Sequence, residues 1–174
     1  KFIAMTYLSE KSFERAKNEF ELQLKQQPLD PASYQQLAKI ELSKRKPENA
    51  ANYYLKGLKH LPDNQQLRMG LASTYEQLQQ YDNAIKTYQE VLTSNPRNIV
   101  AINNLAMILV SKKTDKESYA LAEKLVAKFK SSNQAILLDT YGWVHYHIGN
   151  YQQTIAALNK AVSLTPEVPV YYYH

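Results

Sequence analysis

The sequence holds four histidines, and His145 and His147 form the only close pair. Imidazole nitrogens bind zinc and transfer protons near neutral pH, so this pair is the first candidate for chemistry. On a helix, a spacing of two residues points the side chains to different faces, whereas zinc helices place two histidines four residues apart. We therefore predict one packed and one solvent-facing histidine and no metal site.

Other residue types that carry catalysis are absent or scattered. The chain has no cysteine, which excludes thiol chemistry and disulfides and leaves the redox compartment open. Four glycines stand alone in helical or turn contexts, so none forms a phosphate-binding loop: Gly57, Gly70, Gly142 and Gly149. No two acidic residues fall where an apolar pocket could separate their pKa values for acid and base catalysis. We predict that the protein is not an enzyme and needs no cofactor.

The formal net charge is +5, from 21 Lys and Arg residues against 16 Asp and Glu residues. Much of the excess lies in two basic segments, Lys44-Arg45-Lys46 and Lys112-Lys113-Lys116. We expect both to follow a helix, where cations stabilise the negative end of its dipole; an acidic partner at that edge is the alternative. No aromatic residues alternate with these lysines, so nucleic acid is not a predicted partner. No apolar run reaches about 20 residues and the first residues do not resemble a signal peptide, so membrane insertion is not predicted.

The sequence repeats with a period of 34 residues, and this period predicts the secondary structure that positions these side chains. Positions 34 residues apart carry similar residues: Ile3, Leu37, Leu71 and Leu105; Ala16, Ala50 and Ala84; Phe20, Tyr54 and Tyr88; Pro28, Pro62 and Pro96. After Ala106 the register shifts by two residues, so one unit is two residues longer than the others. Within each unit, apolar residues recur every three or four positions in two blocks, which predicts a pair of amphipathic helices closed by a proline.

This pattern resembles the tetratricopeptide repeat (TPR) family, whose unit is a 34-residue helix-turn-helix. The matching residues are Leu71-Ala72, Tyr75, Tyr81, Ala84, Tyr88 and Pro96, and later Tyr141-Gly142, Gly149, Tyr151, Ala161 and Pro166. Four residues depart from the family's pattern, and we expect them to alter packing in detail: Glu41, Pro47, His145 and Thr154. The resemblance implies an all-α fold, an α-solenoid of about five TPR helix-turn-helix repeats in a right-handed superhelix.

We predict a single TPR solenoid domain over residues 1–174. Its repeats are predicted at 1–30 (partial), 31–64, 65–98, 99–134 and 135–168, with 169–174 as the start of a further repeat. Turns are predicted near 9–12, 44–47, 78–81, 112–116 and 147–150. Both ends of the sequence interrupt a first helix, so we expect a piece of a longer protein. Apolar residues at those ends, among them Phe2, Ile3 and Tyr171, predict self-association between copies.

The resemblance also implies where a partner would bind, because the first helices of TPR units line the concave side of the superhelix. The predicted groove consists of residues of the first helices: Met5, Gln35, Lys39, Met69, Ser73, Glu76, Asn103, Met107, Asp139, Trp143, Tyr146 and His147. All three methionines and the single tryptophan belong to it, and both residue types favour peptide recognition. The alternative is that these residues are buried against the neighbouring unit.

The predicted function is a non-enzymatic protein-protein interaction scaffold that binds a peptide or helix of a partner protein in this groove. The alternatives are a structural spacer or self-assembly module, or the regulatory arm of a larger protein. Chaperone-binding TPR domains hold a C-terminal carboxylate with a set of lysines and asparagines. That set is not reproduced here, since only Lys1, Lys39 and Asn104 are of related types.

A more local resemblance concerns the cellular context. The segment Leu138-Asp139-Thr140-Tyr141-Gly142-Trp143, with Gly149-Asn150-Tyr151 and Asn103-Asn104-Leu105-Ala106, is similar to TPR arrays of bacterial envelope proteins. Those arrays are linked to exopolysaccharide secretion and exosortase systems, so the resemblance implies a periplasmic or lipid-anchored assembly factor. The residues themselves leave compartment and organism open.

Overall fold

The computed structural model describes residues 12–113 and 115–165, and within these ranges every regular element is helical. The nine α-helices of these two ranges are α1 (Phe13–Gln26), α2 (Pro31–Ser43), α3 (Pro47–His60), α4 (Gln65–Gln77), α5 (Tyr81–Ser94), α6 (Ile99–Lys112), α7 (Lys116–Val126), α8 (Ala135–His147) and α9 (Tyr151–Leu164). A 3₁₀ helix, Ala127–Ser131, follows α7. The predicted all-α helical repeat of the solenoid class is confirmed.

The helices begin and end where the local chemistry favours it. Pro31 and Pro47 occupy the first position of α2 and α3, where a missing N–H costs nothing. Asn64 and Asn98 cap α4 and α6, since their side chains accept hydrogen bonds from backbone N–H groups three residues later, at 2.9 and 3.0 Å.

Left-handed residues end three of the first helices. Arg45, Gln79 and Gly149 have φ values of 57°, 56° and 81° and stand at equivalent repeat positions. This conformation reverses the chain between two helices of one repeat. The turns predicted near 44–47, 78–81 and 147–150 are confirmed. Two further predicted turns lie partly outside the described residues: the turn near 112–116 includes residue 114, and the turn near 9–12 includes residues 9–11.

The described chain divides after Thr87, within α5, into two compact units. In the first unit, α2 packs against α1 and α3, and α4 packs against α3 and α2. Its core is built from side chains that include Phe20, Leu37, Tyr54 and Leu67. Tyr54 packs so closely on α4 that a Cβ atom at Gly70 would lie 2.4 Å from its ring. The prediction of a single domain stays a prediction.

In the second unit, α6 packs against α7 and α8, and α8 also packs against α7 and α9. Its core includes Leu138, packed with Ala135 and Ala161. The lengthened repeat is accommodated after α7, where the 3₁₀ helix Ala127–Ser131 turns Phe129 into the interior.

Two of the residues that depart from the family's pattern are accommodated by specific contacts. Thr154 is buried, and its hydroxyl lies 3.1 Å from the carbonyl of Gly142 and 3.2 Å from that of Asn150, so the polar group has partners. His145 is buried, as expected for one of the two histidines, and its ring centroid lies 4.2 Å from that of Tyr141. Burial lowers the pKa of His145, which favours the neutral imidazole.

The prediction that the basic segments lie at the negative ends of helix dipoles is wrong in part. Lys44 does follow α2, and its ammonium group pairs with Glu14. Lys46 is instead the N-cap of α3, and Lys116 is the first residue of α7. Both are therefore at positive helix ends, because the turns are too short to keep three basic residues on one side.

Candidate functional site

The structure places the predicted groove residues on the first helices of the repeats. In the first unit, α2 carries Gln35 and Lys39, and α4 carries Met69, Ser73 and Glu76. In the second unit, α6 carries Asn103 and Met107, and α8 carries Asp139, Trp143, Tyr146 and His147. Met5 lies outside the described residues. None of the eleven described side chains is buried: Lys39, Ser73 and Tyr146 are exposed and the others are half-buried.

The densest group of these residues is an aromatic cluster at the end of α8, formed by Trp143, Tyr146, His147 and the neighbouring Tyr151 of α9. The ring centroids of Trp143 and Tyr146 are 5.8 Å apart with the planes nearly parallel. His147 meets Trp143 edge-on at 4.9 Å, and Tyr151 lies 5.9 Å from Tyr146. These separations are typical of favourable aromatic pairs. The helix positions 143, 146 and 147 bring three rings together, because residues three and four apart share a helix face.

The aromatic cluster is accessible as well as ordered. Tyr146 is 49% exposed and Tyr151 is 59% exposed, while Trp143 and His147 are half-buried. The sequence left open which histidine faces solvent; His145 is buried, and His147 is half-buried with its ring edge-on to those of Trp143 and Tyr146. Four aromatic side chains therefore form one continuous surface whose rings support one another.

A chain of polar contacts links α6 to α8 in the same unit. Thr140 Oγ1 donates to the side-chain oxygen of Asn103. Asn103 Nδ2 donates to Asn104 Oδ1 at 3.3 Å, and Asn104 Nδ2 donates to the Tyr88 hydroxyl at 2.9 Å. The amide of Asn103 is thus held in a fixed orientation, with one N–H and one oxygen lone pair left for further bonds.

The predicted groove residues of the first unit are more polar. Gln35 Nε2 donates to Gln66 Oε1 at 3.0 Å, which joins α2 to α4. Lys39 and Ser73 are exposed, and Met69 is the single apolar member of the predicted groove among the described residues of this unit. The apolar and aromatic anchors that the sequence predicted are therefore concentrated in the second unit.

The sequence interpretation missed a buried ionic network in the first unit. Glu41 is only 1% exposed, and Lys17 Nζ donates to its Oε1 at 2.6 Å while Asn49 Nδ2 donates to its Oε2 at 3.1 Å. Burial alone would raise the pKa of Glu41, but the hydrogen bonds from Lys17 and Asn49 outweigh it and lower that pKa. The hydrogen bond to Glu41 raises the pKa of Lys17 to about 12. A charged residue at a repeat position where the family carries an aromatic was the available signal.

A tyrosine beside this network is held by a second carboxylate. The Tyr53 hydroxyl donates to Glu21 Oε1, and the ammonium groups of Lys17 and Lys56 lie 5.8 and 5.5 Å from the Tyr53 ring centroid. Burial and the bond to Glu21 raise the pKa of Tyr53 to about 12, so the phenol stays protonated at neutral pH. The network links α1 to α2 and α3. Its two lysines are balanced by two carboxylates, so we assign it a structural role in the packing of these helices.

The described ranges hold neither a metal-binding cluster nor a membrane-spanning helix. In residues 12–113 and 115–165, no three His, Asp or Glu side chains stand close enough to hold a metal ion. In the same residues, no helix combines the length and the apolar character that a bilayer span requires.

Comparison with known proteins gives two matching family models, both described as tetratricopeptide repeat. One matches residues 36–99 and the other residues 135–168. The protein ycf37 of Cyanophora paradoxa, described as uncharacterized, is 33% identical over 110 residues, which are 61% of this chain and 64% of that protein.

Solved structures share the fold. A tetratricopeptide repeat protein from Parabacteroides merdae matches with a TM-score of 0.83 at 19% identity, over 97% of this chain and 66% of that chain. YrrB, described as a TPR protein with an unusual peptide-binding site, matches with a TM-score of 0.72 at 18% identity, over 98% of this chain and 87% of that chain. The chain spans just under two thirds of the length of ycf37 and of the Parabacteroides protein. With two family models matched across more than half of its residues and a TPR fold throughout the described part, the chain belongs to the tetratricopeptide repeat family.

Proposed function

We propose that this chain is a non-enzymatic scaffold that binds an extended segment or a helix of a partner protein. Members of the TPR family are typically non-catalytic interaction modules, and the family membership supports a protein-interaction scaffold. The description of YrrB as a protein with a peptide-binding site supports the narrower proposal that a peptide is the ligand.

The observation that carries the proposal is the partly exposed aromatic cluster on α8 and α9. Tryptophan and tyrosine contribute large apolar areas at low entropic cost and are the residues most often found at binding hot spots. Half-exposed rings that pack on one another keep their positions without a partner, so little order has to be gained on binding. We include half-buried Met107 of α6 in the proposed surface, because its side chain can adapt its shape to a ligand.

Polar residues around the cluster give the proposed ligand an orientation. The fixed amide of Asn103 can pair with a peptide backbone group, and the carboxylate of Asp139 lies one helical turn before Trp143 on α8. Affinity in this proposal comes from the aromatic anchors and direction from the polar groups.

Selection from a random peptide library displayed on phage tests this proposal. Peptides enriched on the immobilised protein should bind at least about 30-fold more weakly to Trp143→Ala, since truncation of a hot-spot aromatic costs about 2 kcal/mol or more. Tyr119→Ala, a matched loss of a half-buried aromatic on the second helix α7, should leave the affinity unchanged. If Trp143→Ala and Tyr119→Ala both fold by circular dichroism and both bind the peptide as tightly as the parent, the cluster does not bind the peptide.

A second candidate function, self-assembly, rests on the exposed apolar face of α9. Tyr151 and Ile155 are 59% and 61% exposed. The residue of α3 that corresponds to Ile155 is Ala51, which is buried in the unit where α3 packs against α4. The same repeat face is therefore covered in the first unit and uncovered in the second, within the described residues.

Analytical ultracentrifugation tests this second candidate. The protein should associate at millimolar concentration, and Ile155→Lys should weaken association because it places a charge in the contact. Leu55→Lys, at an exposed position of α3, is the matched control and should leave association unchanged. A strictly monomeric protein would refute self-assembly through α9.

A further inference from the structure

Among the connections between repeats that the structure describes, one is longer than the others and contains a 3₁₀ helix. Three connections from a second helix to the next first helix span 27–30, 61–64 and 95–98. The connection from α7 to α8 spans 127–134 and begins with the 3₁₀ helix. Insertions in repeat proteins map to loops on one face, which is often the binding face. The longer connection of this repeat is therefore a candidate binding site.

The 3₁₀ helix, the residues after it and the start of α6 line a pocket of about 420 Å³, which we call the edge pocket. Phe129, Leu137 and Ile99 supply its apolar lining. Phe129 and Leu137 are buried, whereas Ile99 is 43% exposed. Pockets that bind small groups commonly enclose about 300–1,000 Å³ and are mostly apolar, so the edge pocket can accommodate an inserted side chain.

Two cations line the same pocket, Arg97 from the connection before α6 and Lys128 from the 3₁₀ helix. Lys128 Nζ lies 3.4 Å from the backbone carbonyl of Pro96, to which it donates, and this bond joins the two segments. Residues 95–100 and 127–137 are described in full and contain no acidic residue. The positive charges are therefore not offset within these segments, and their field favours an anionic ligand.

Uncharged polar groups complete the lining. Ser131, Ser132 and Gln134 all border the pocket. Ser132 Oγ accepts a hydrogen bond from the backbone N–H of Gln134 at 3.0 Å, which leaves its hydroxyl hydrogen able to donate to a ligand. Hydroxyl, ammonium and guanidinium donors together suit a carboxylate, and the guanidinium of Arg97 can bind it with two parallel hydrogen bonds.

We propose that the edge pocket binds a short acidic-hydrophobic segment of a partner protein. One apolar side chain enters between Phe129 and Ile99, and one or two neighbouring carboxylates pair with Arg97 and Lys128. The apolar lining selects the inserted side chain, and the cations select the charge beside it. A concave pocket fits an inserted side chain better than it fits the surface of a bilayer.

The edge pocket and the aromatic cluster are separate sites on the same unit. Leu137 is in the first turn of α8, whereas Tyr146 is in its last turn, about 14 Å further along the helix axis at 1.5 Å per residue. A partner that engages one site need not engage the other. Variants of Trp143 therefore report on the proposed groove, and variants of Arg97 and Lys128 report on the edge pocket.

A fluorescein-labelled, acetylated peptide with two glutamates followed by leucine and phenylalanine is the probe. Titration followed by fluorescence anisotropy should give saturable binding. A peptide with glutamines in place of the glutamates, and one with serines in place of the apolar residues, should each bind at least about tenfold more weakly. Weakening by salt is expected for the first peptide, because the contact includes solvent-exposed charges.

Charge-reversal variants locate the binding. Arg97→Glu and Lys128→Glu should each weaken binding of the probe about tenfold or more, whereas Lys124→Glu, an exposed lysine of α7 outside the pocket lining, should leave it within about twofold. Ile99→Ser should weaken binding without changing the charge, and Trp143→Ala should not affect it. The proposal is overturned if folded Arg97→Glu and Lys128→Glu bind the probe as the parent does. It is also overturned if the protein binds phosphatidylserine vesicles and not the probe, or binds neither.

Discussion

Glu41 offers the most informative test of how the first unit is held together, because it is an ionised side chain at a core position. Replacing it by glutamine keeps the size of the side chain and removes the charge that Lys17 and Asn49 contact. The Lys17 ammonium group loses its ionic partner and can donate only to the neutral amide oxygen of the glutamine. The variant therefore measures the ionic part of the contact between α1 and α2.

The expected loss in the free energy of unfolding depends on how deeply each member of the ion pair is buried. Removing one partner of a fully buried ion pair costs about 3–5 kcal/mol, and a hydrogen bond to a charged group contributes about 1.5–3 kcal/mol. The Glu41 side chain is 2% exposed, but that of Lys17 is 25% exposed, so the ammonium group can regain water. We therefore expect Glu41→Gln to lower the free energy of unfolding by about 2–3 kcal/mol. For a chain of this length, that corresponds to a fall in Tm of about 4–12 °C.

Thermal unfolding followed by circular dichroism measures this effect. Glu19→Gln, the same charge change at a half-buried position of α1, is the control and should leave Tm nearly unchanged. The double variant Lys17→Met with Glu41→Leu should be more stable than Glu41→Gln, because apolar residues of similar volume replace both charges at once. If Glu41→Gln has the same Tm as the parent, the ion pair does not stabilise the first unit and the reasoning from burial is wrong.

The remaining predictions concern pH and close packing. Because the pKa of Glu41 is lowered on folding, its carboxylate stabilises the fold at pH values above 4.5, and this stabilisation is lost as the pH falls through the pKa of the folded state. Because the pKa of Lys17 is raised to about 12, its ammonium group stabilises the fold fully below pH 10.5, and this stabilisation is lost as the pH rises through about 12. Urea unfolding across pH should therefore show the difference between parent and Glu41→Gln shrinking at both extremes, and a constant difference would refute it. Gly70→Ala should destabilise the first unit by about 1–2 kcal/mol, because the clash with Tyr54 exceeds the gain in helix propensity. Gly142→Ala, whose Cβ would lie 3.1 Å from a movable Leu158 atom, should be nearly neutral, and equal effects in urea unfolding would contradict this contrast.

The period of 34 residues was sufficient to predict the helices, their pairing and three turns, because each repeat buries the same helix faces. Phe20, Tyr54 and Tyr88 are buried as their common position requires, and so are the alanines of another repeat position, Ala16, Ala50 and Ala84. The handedness of the superhelix and the single-domain organisation stay predictions.

Features outside the period could not be predicted from it. The two-residue insertion was visible as a register shift, but its fold as a 3₁₀ helix with Phe129 turned inward depends on contacts with α7 and α8. The partner of Glu41 is Lys17, 24 residues away on another helix, and a pattern within one repeat holds no information about it. The aromatic cluster was only partly predicted, because Tyr151 joins it through the turn at Gly149.

Trp143 is the single tryptophan of the chain, so its fluorescence tests the proposed binding surface without any substitution. The measurement is a titration of the parent protein with a library-selected peptide, with binding verified independently by anisotropy of a labelled copy. The account predicts that Trp143 emission shifts to shorter wavelength with the same dissociation constant, because the exposed part of the half-buried indole loses contact with water. A peptide that binds while the emission of Trp143 stays unchanged would contradict the account.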